Sequence, residues 1–240
     1  MWTRKELKTK AKADFRGNYW KCVLVALILA LITTSTAGSS GSAAGGSSES
    51  STTVEDAQGL MDLLQTPEAQ EVLHVIRTIA IILLVLNLLV LKPLQVGCKG
   101  FFMKNCREKA DLSELGTAFK PSWLRNVLGM FLTDLFVALW CLLFIIPGLV
   151  KAYAYRLVPY IMADDPDIDA MDAIKKSQKM MKGHKWNAFV LDLSFLGWYF
   201  LGTLTAGILW VFYVQPYEEQ TDAELYEVLK AGYIEEGVEA

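Results

Sequence analysis

Residues 127–150 read VLGMFLTDLFVALWCLLFIIPGLV, and Asp134 is the only charged residue among them. Three further stretches are nearly as apolar, at residues 22–32, 79–91 and 189–213. Inside a bilayer every backbone N–H and C=O group must be hydrogen bonded within the protein, so such stretches are expected to be helices. About 20 apolar residues cover the ~30 Å hydrocarbon core. The sequence therefore predicts an all-α, polytopic transmembrane bundle.

The composition points the same way and excludes several kinds of site. Hydrophobic residues make up 53% of the 240 residues, against about 45–50% in a typical globular domain. The four cysteines contain no Cys-x-x-Cys pair, and the two histidines are far apart in sequence, so neither a metal site nor a cofactor is predicted. We find no phosphate-binding loop, dinucleotide fingerprint, His-Glu-x-x-His or Gly-x-Ser-x-Gly motif. These absences favour a protein that is not an enzyme, with an intramembrane lipid enzyme as the remaining catalytic alternative.

Basic residues decide the predicted orientation, because cytoplasmic loops of membrane proteins are enriched in lysine and arginine. Basic blocks lie before the first apolar stretch, between the second and third, and at residues 175–185. Both termini are therefore predicted to be cytoplasmic. The first block is expected to be an amphipathic helix on the anionic lipid surface, with Trp2, Leu7, Phe15, Tyr19 and Trp20 toward lipid. A solvated basic leader is the alternative, and cleavage after the first span is a further one.

The pattern divides the chain into segments of a single membrane domain. They are a basic amphipathic cytoplasmic leader (1–21), a first span (22–37), an extracytoplasmic Gly/Ser-rich loop (38–66), a second span (67–92), a cytoplasmic loop (93–124), a helical hairpin (125–163), a cytoplasmic amphipathic helix (164–185), paired or broken spans (186–217) and an acidic cytoplasmic tail (218–240). Thr66 is the expected N-cap of the second span, and Thr221 opens an expected capping box in the tail.

The number of spans depends on where two helices break. Pro147 removes a helical hydrogen bond and Gly148 permits a turn, so we expect a hairpin that turns there. A re-entrant or broken helix is the alternative. A second break is expected near Gly207, since residues 186–216 are too many for one upright span. These breaks predict six membrane segments, and four if the helices are only broken.

Three charged residues inside the apolar segments are the candidate site. Charges within a membrane are costly and are usually paired or functional. At 1.5 Å per helical residue, Asp134, Arg156 and Asp192 all fall in the cytoplasmic half of the bundle. We expect a cluster around Arg156, with Asp134 as the preferred partner. The cluster would act as a packing clasp, and a proton or ion relay is the alternative.

Short sequence motifs throughout the chain resemble those of a known family. They are Arg4–Lys8 (RKELK), Gly17–Trp20 (GNYW), Leu142–Gly148 (LLFIIPG), Pro159-Tyr160, Met181–Gly183 (MKG), Lys185-Trp186, Leu193–Trp198 (LSFLGW), Leu204–Ile208 (LTAGI) and Pro216-Tyr217. With these motifs the chain resembles the bacterial integral-membrane family known as domain of unknown function 975 (DUF975). The resemblance implies a multi-pass protein of the bacterial cell membrane. It implies no established activity and no catalytic residues.

Two functions of different kinds follow from these features. The first is an interaction, scaffold or envelope-homeostasis factor, which contacts the bilayer, its anionic headgroups and an unidentified membrane protein partner. Its support is the lack of catalytic motifs and the amphipathic segments, including the stripe of Ile168, Met171, Ile174 and Met181. The second is a small-solute or ion transporter that uses the intramembrane charges and the broken helices. The basic blocks match lipid headgroups, so no nucleic acid partner is predicted.

Overall fold

The computed structural model describes residues 2–41, 67–119, 123–205 and 207–235, and every regular element within these ranges is helical. The all-α prediction is therefore confirmed for the described residues. The Gly/Ser-rich loop predicted at residues 38–66 lies outside them from residue 42 onward. Thr66, the expected N-cap, lies outside them too.

Eleven α-helices are described within those ranges. They are α1 (Arg4–Gly17), α2 (Tyr19–Gly41), α3 (Pro67–Leu86), α4 (Lys92–Arg107), α5 (Trp123–Leu143), α6 (Ile145–Tyr155), α7 (Val158–Asp164), α8 (Ala170–Met180), α9 (Lys185–Leu193), α10 (Leu196–Leu204) and α11 (Gln215–Glu235). Two π-helical turns, Asn87–Leu91 and Trp210–Val214, lead into α4 and α11, and a 3-10 helix covers Leu112–Phe119.

The N-terminal helix is capped by its own sequence and buries one face. The Thr3 side chain accepts a hydrogen bond from the Glu6 backbone N–H, and the Glu6 carboxylate accepts one from the Thr3 N–H, which forms a capping box. Leu7 and Phe15 are 2% and 1% exposed. The expectation that these two side chains face lipid is therefore wrong, because they pack into the protein core. Trp20, in contrast, is 75% exposed.

The helix of the second predicted span does not end near Lys92-Pro93, as the sequence suggested. Helix α3, the π-helical turn and α4 follow one another without a gap from Pro67 to Arg107. Proline cannot donate the i→i−4 hydrogen bond, so Pro93 frees the carbonyl of Leu89. The indole N–H of Trp123 donates to that carbonyl over 2.8 Å. A side chain from α5 thus satisfies the group that the proline leaves unpaired, and the helix continues.

The core lies where α1, α4, α7, α8 and α11 pack on one another. Helix α11 is central to it, with Tyr226 and Leu225 fully buried. Residues 218–235 of the predicted acidic tail belong to α11, so the prediction that Thr221 opens a capping box is wrong. Thr221 lies inside α11 and donates its hydroxyl to the Tyr217 carbonyl over 2.7 Å. Pro216 lies in the first turn of α11, directly after the π-helical turn Trp210–Val214.

Helices α5 and α6 form an antiparallel pair. The chain turns at Phe144, which has an extended backbone (φ −157°, ψ 136°). Pro147 lies in the first turn of α6, where a helical N–H has no intrahelical acceptor. The turn therefore precedes the predicted Pro147-Gly148 position. Gly148 faces Cys141, and a Cβ built on Gly148 would lie 2.4 Å from the Cys141 sulfur. The pair can approach this closely only because residue 148 has no side chain.

A second reversal follows α10. Gly207 has a φ of +86°, and its N–H donates to the Gly202 carbonyl over 2.9 Å. A positive φ strains residues with a Cβ, so glycine suits this position. The rings of Trp198 and Tyr213 then lie 5.2 Å apart on either side of the turn.

Three helical stretches are long and apolar enough to cross a membrane by length and composition. They are Gln70–Arg107, Trp123–Leu143 and Lys185–Leu204, and the pair Arg4–Gly17 and Tyr19–Thr33, bent by 105°, would give a fourth. The chain is thus compatible with a membrane protein, and the predicted six spans are not confirmed. The 11 residues of α6 extend only about 16 Å, which is half of a hydrocarbon core.

Replacing Gly148 by alanine tests the close contact between α5 and α6. We expect Gly148→Ala to destabilise the protein by about 1–3 kcal/mol, because the new methyl group overlaps Cys141. Thermal unfolding in detergent gives the measurement. The matched control is Gly197→Ala in α10, where nothing lies within 4 Å of an added Cβ. That change should be neutral or slightly stabilising. Equal effects of the two changes would contradict the close packing.

Candidate functional site

Arg156 joins three parts of the chain through its guanidinium group. Nη1 and Nη2 donate to the two carboxylate oxygens of Asp192 over 2.7 and 2.8 Å. Nη2 also donates to Asp222 Oδ1 over 2.6 Å, and Nε to Asp222 Oδ2 over 3.3 Å. Arg156 directly follows α6, whereas Asp192 lies in α9 and Asp222 in α11. The planar fork of arginine suits such two-point contacts with carboxylates.

The cluster is shielded from solvent and has a further member. The exposed fractions of the Arg156, Asp192 and Asp222 side chains are 17%, 29% and 13%. The Tyr153 hydroxyl donates to Asp192 Oδ2 over 2.7 Å. One cation thus faces two carboxylates, and a tyrosine supplies an extra donor to the more exposed of them.

Asp134 is not part of this cluster. Its carboxylate pairs with Lys92, the first residue of α4. The preference for Asp134 as the partner of Arg156 is therefore wrong, and the structure pairs Arg156 with Asp192 instead. The number of residues from the helix end predicts how deep Asp134 lies in the membrane, and that depth is similar to the depth of Arg156. The depth does not show toward which side of the helix a side chain points.

Further ion pairs surround α11 next to the cluster. The Lys99 ammonium group from α4 pairs with Glu219, and Lys99 also lies 5.3 Å from the ring centre of Tyr160. The Tyr199 hydroxyl in α10 donates to Glu218. Glu218, Glu219 and Asp222 occupy one turn of α11, and each of them accepts hydrogen bonds from a different helix or connecting segment.

Sequence reasoning missed Asp222, Glu218, Glu219, Lys99 and Tyr153. The spacing of Glu218 and Asp222 was the available signal, because residues four apart lie on one face of a helix. The assignment of these residues to an acidic tail concealed that signal. Lys99 lies more than 100 residues before Glu219, and nothing in the sequence around Lys99 indicates that the two residues pair.

The setting of Glu218 in α11 also alters its protonation. Its burial raises the pKa of the carboxyl from 4.5 to about 7. The hydrogen bond from Tyr199 lowers the pKa, and the charges of Asp222 and Glu219 raise it further. A carboxyl next to two carboxylates in a buried setting holds its proton more strongly than one in water.

Removing the Arg156 side chain should be costly. We expect Arg156→Ala to destabilise the protein by about 3–5 kcal/mol, because two shielded carboxylates lose their shared cation. Arg125→Ala is the matched control, since Arg125 also pairs with an aspartate, Asp167, but both side chains are largely exposed. That change should cost less than about 1 kcal/mol. Chemical unfolding in detergent compares them, and similar values for both would contradict the role of Arg156.

Glu218 should make stability depend on pH. Its pKa is higher in the folded protein than in the unfolded chain, so the folded state binds the proton more tightly. Stability should then fall as the pH rises from about 4.5 to about 7. We expect Glu218→Gln to flatten this decline in unfolding measurements at several pH values. The control is Glu108→Gln, at an exposed position. An unchanged pH profile in Glu218→Gln would contradict the assignment.

Comparison with known proteins covers the part of the chain that holds the cluster. No curated protein and no solved structure matches the chain. A family model described as "Protein of unknown function (DUF975)" matches residues 125–232. This range begins in α5, ends in α11, and contains Arg156, Asp192 and Asp222. The resemblance to the DUF975 family is thus confirmed for residues 125–232, which form the DUF975 region of this chain.

Proposed function

We propose that this chain is a multi-pass protein of the bacterial cell membrane that acts as a scaffold, by interaction rather than by catalysis. The DUF975 match indicates no activity, and the apolar helices are compatible with a membrane protein. In this proposal the helices cross the bilayer, and the packed core of α1, α4, α7, α8 and α11 lies at its cytoplasmic face.

The packing of the core supports this orientation. The four segments predicted to be cytoplasmic contribute α1, α4, α8 and α11, and these helices contact one another directly or through α7. Segments that pack together must lie on the same side of a membrane. Both chain ends would then be cytoplasmic. Exposed Trp20 and Trp186, near the starts of α2 and α9, suit the headgroup region, where tryptophan is enriched.

The observation that carries the proposal is the exposure of α3. Every residue from Gln70 to Leu86 is exposed, and this stretch includes Leu84 at 66% and Ile82 at 59%. Its 17 residues extend about 26 Å, close to the thickness of a hydrocarbon core. A span that is not packed against the part of the chain that the structure describes leaves its circumference available to lipid or to the spans of another protein.

The amphipathic helices are not available in the same way. Helix α8 buries Ala173 and Ile174 in the core, and Met181 just after it is fully buried. Helix α1 buries Leu7 and Phe15. Most of the apolar side chains that suggested docking helices in the sequence are thus buried within the chain, while Met171 stays 39% exposed. We therefore place the interaction surface on α3 instead of residues 164–185.

The arrangement of the charges favours a scaffold over a transporter. Arg156 is engaged by two carboxylates, Asp134 by Lys92, and Glu219 by Lys99. A transport site needs groups that exchange partners with the solute or ion. The two-point contacts of Arg156 with its carboxylates are suited to fixing helices in place. No observation in the described residues favours transport specifically.

Photocrosslinking from α3 tests the proposal. A photoreactive residue is placed at Ile79 or Ile82, one position at a time, and irradiated in native membranes. We expect a protein adduct of defined mass at one or both positions, because α3 binds another membrane helix. The same residue at Leu142 in α5, which is 85% exposed, is the control for contact with lipid. Lipid adducts alone at all three positions would contradict the proposed surface.

A flux measurement separates the scaffold from the transporter. The purified chain is reconstituted in liposomes, and ion or proton movement is followed with an entrapped indicator. We expect no flux above that of empty liposomes. A flux that Asp192→Asn abolishes, with the fold unchanged, would overturn the scaffold in favour of transport.

A further inference from the structure

A second group of side chains meets in the core, outside the Arg156 cluster. Asp14 of α1, Cys106 of α4 and Glu224 of α11 each place one ligand-type atom within 4.8 Å of the other two. We propose that Asp14, Cys106 and Glu224 form a binding site for a divalent transition-metal ion, with Zn²⁺ as the best-fitting ion. This inference is independent of the scaffold function.

Glu224 is the observation that points to a ligand. The residue is 0% exposed, and its Oε1 accepts no hydrogen bond of good geometry from the described residues, although the Cys106 thiol and the Asp14 carboxyl lie beside the carboxylate. Its other oxygen lies 2.7 Å from the Lys10 ammonium nitrogen. Asp14 Oδ2 is also buried without a hydrogen-bond partner. Buried carboxylate oxygens without a donor are costly, and native proteins rarely leave them so. A cation between the two carboxylates would satisfy both oxygens.

The charges of the site match a divalent ion. Two carboxylates and a thiolate supply three negative charges, and Lys10 supplies one positive charge, which leaves two negative charges in the core. A divalent cation brings the site to neutrality. Buried charge is tolerated where it is balanced in this way.

The donor atoms select zinc over the common hard cations. Ca²⁺ and Mg²⁺ take oxygen ligands, whereas zinc accepts cysteine sulfur and carboxylate oxygen in one site. Metal–ligand bonds of about 2.0–2.3 Å place tetrahedral ligands roughly 3.5 Å apart. The three side chains already place their ligand atoms within 4.8 Å of one another, and water would supply the fourth position.

One contact of Cys106 suits a metal-bound thiolate, which would replace the hydrogen bond that the thiol donates to the Phe102 carbonyl over 3.3 Å. The Gln220 amide nitrogen lies 3.1 Å from the Cys106 sulfur and donates to it. Gln220 is itself fully buried, and its side-chain oxygen accepts from Asn105 over 2.9 Å. Hydrogen bonds of this kind orient a ligand and stabilise its charged form. A bound ion would fasten α1 to α4 and α11.

Metal binding to the purified, chelator-treated full chain in detergent provides the test. Co²⁺ is added first, because a thiolate ligand gives a charge-transfer absorption that oxygen ligands do not give. We expect that absorption at one Co²⁺ per chain, and its loss when Zn²⁺ displaces the cobalt. This measurement uses the wild-type chain, so it does not depend on the folding of any variant.

Variants then assign the ligands. We expect Cys106→Ser to abolish the absorption, and Asp14→Asn and Glu224→Gln to weaken Zn²⁺ binding by at least about tenfold. Cys98→Ser is the matched control, because Cys98 is also buried in α4 but lies outside the cluster. It should bind as the wild type does. Absence of the absorption in the wild type, or equal Zn²⁺ affinity in Cys106→Ser, would overturn the site.

Discussion

The arrangement of the helices depends on the ion pairs that the guanidinium group of Arg156 forms with two aspartates. It follows α6 and binds Asp192 in α9 and Asp222 in α11. The three segments come from well-separated parts of the DUF975 region, so a single side chain fixes their relative positions. A carboxylate that was separated from Arg156 would leave an unpaired negative charge in a partly buried setting, which is strongly unfavourable. The correct packing of these helices is thereby favoured over alternatives that separate the charges.

Helix α11 forms further ion pairs with the rest of the core. Its Glu219 pairs with Lys99, its Glu224 with Lys10 and its Glu227 with Arg107. These cations come from α1 and α4, which precede the residues matched by the family model. The acidic helix therefore joins the N-terminal part of the chain to the DUF975 region. Apolar contacts such as the stacked rings of Tyr160 and Tyr226, 5.5 Å apart, fill the space between the ion pairs.

The protein combines two kinds of surface. The core side is filled by its own ion pairs and apolar side chains, while α3 and the ends of α5 and α6 expose large apolar residues. Ile145, next to the turn between α5 and α6, is 82% exposed. Such surfaces are stable next to lipid or apolar partners. The core pairs its own polar groups, whereas the apolar side chains of α3 and of the ends of α5 and α6 are exposed. This difference between the two surfaces is the basis for the proposed scaffold.

The sequence by itself determined the helical class, the apolar helices, the charged residues within them and the resemblance to DUF975, because hydropathy and short motifs are local properties. It also indicated two reversals in the chain, although the first one falls at Phe144 instead of Pro147-Gly148. Only the tertiary structure decided that the helical chain runs on from α3 through Pro93 in α4, since the Trp123 indole N–H donates to the freed Leu89 carbonyl. Only the tertiary structure decided that Arg156 binds Asp192 and Asp222 while Asp134 binds Lys92. Ion-pair partners depend on how helices are rotated against one another, and the packing of distant segments sets that rotation. For the same reason the residues that look like an acidic tail in the sequence form the centre of the core. Their carboxylates are paired with cations from α1, α4 and the residue after α6, and these distant partners cannot be identified from the sequence.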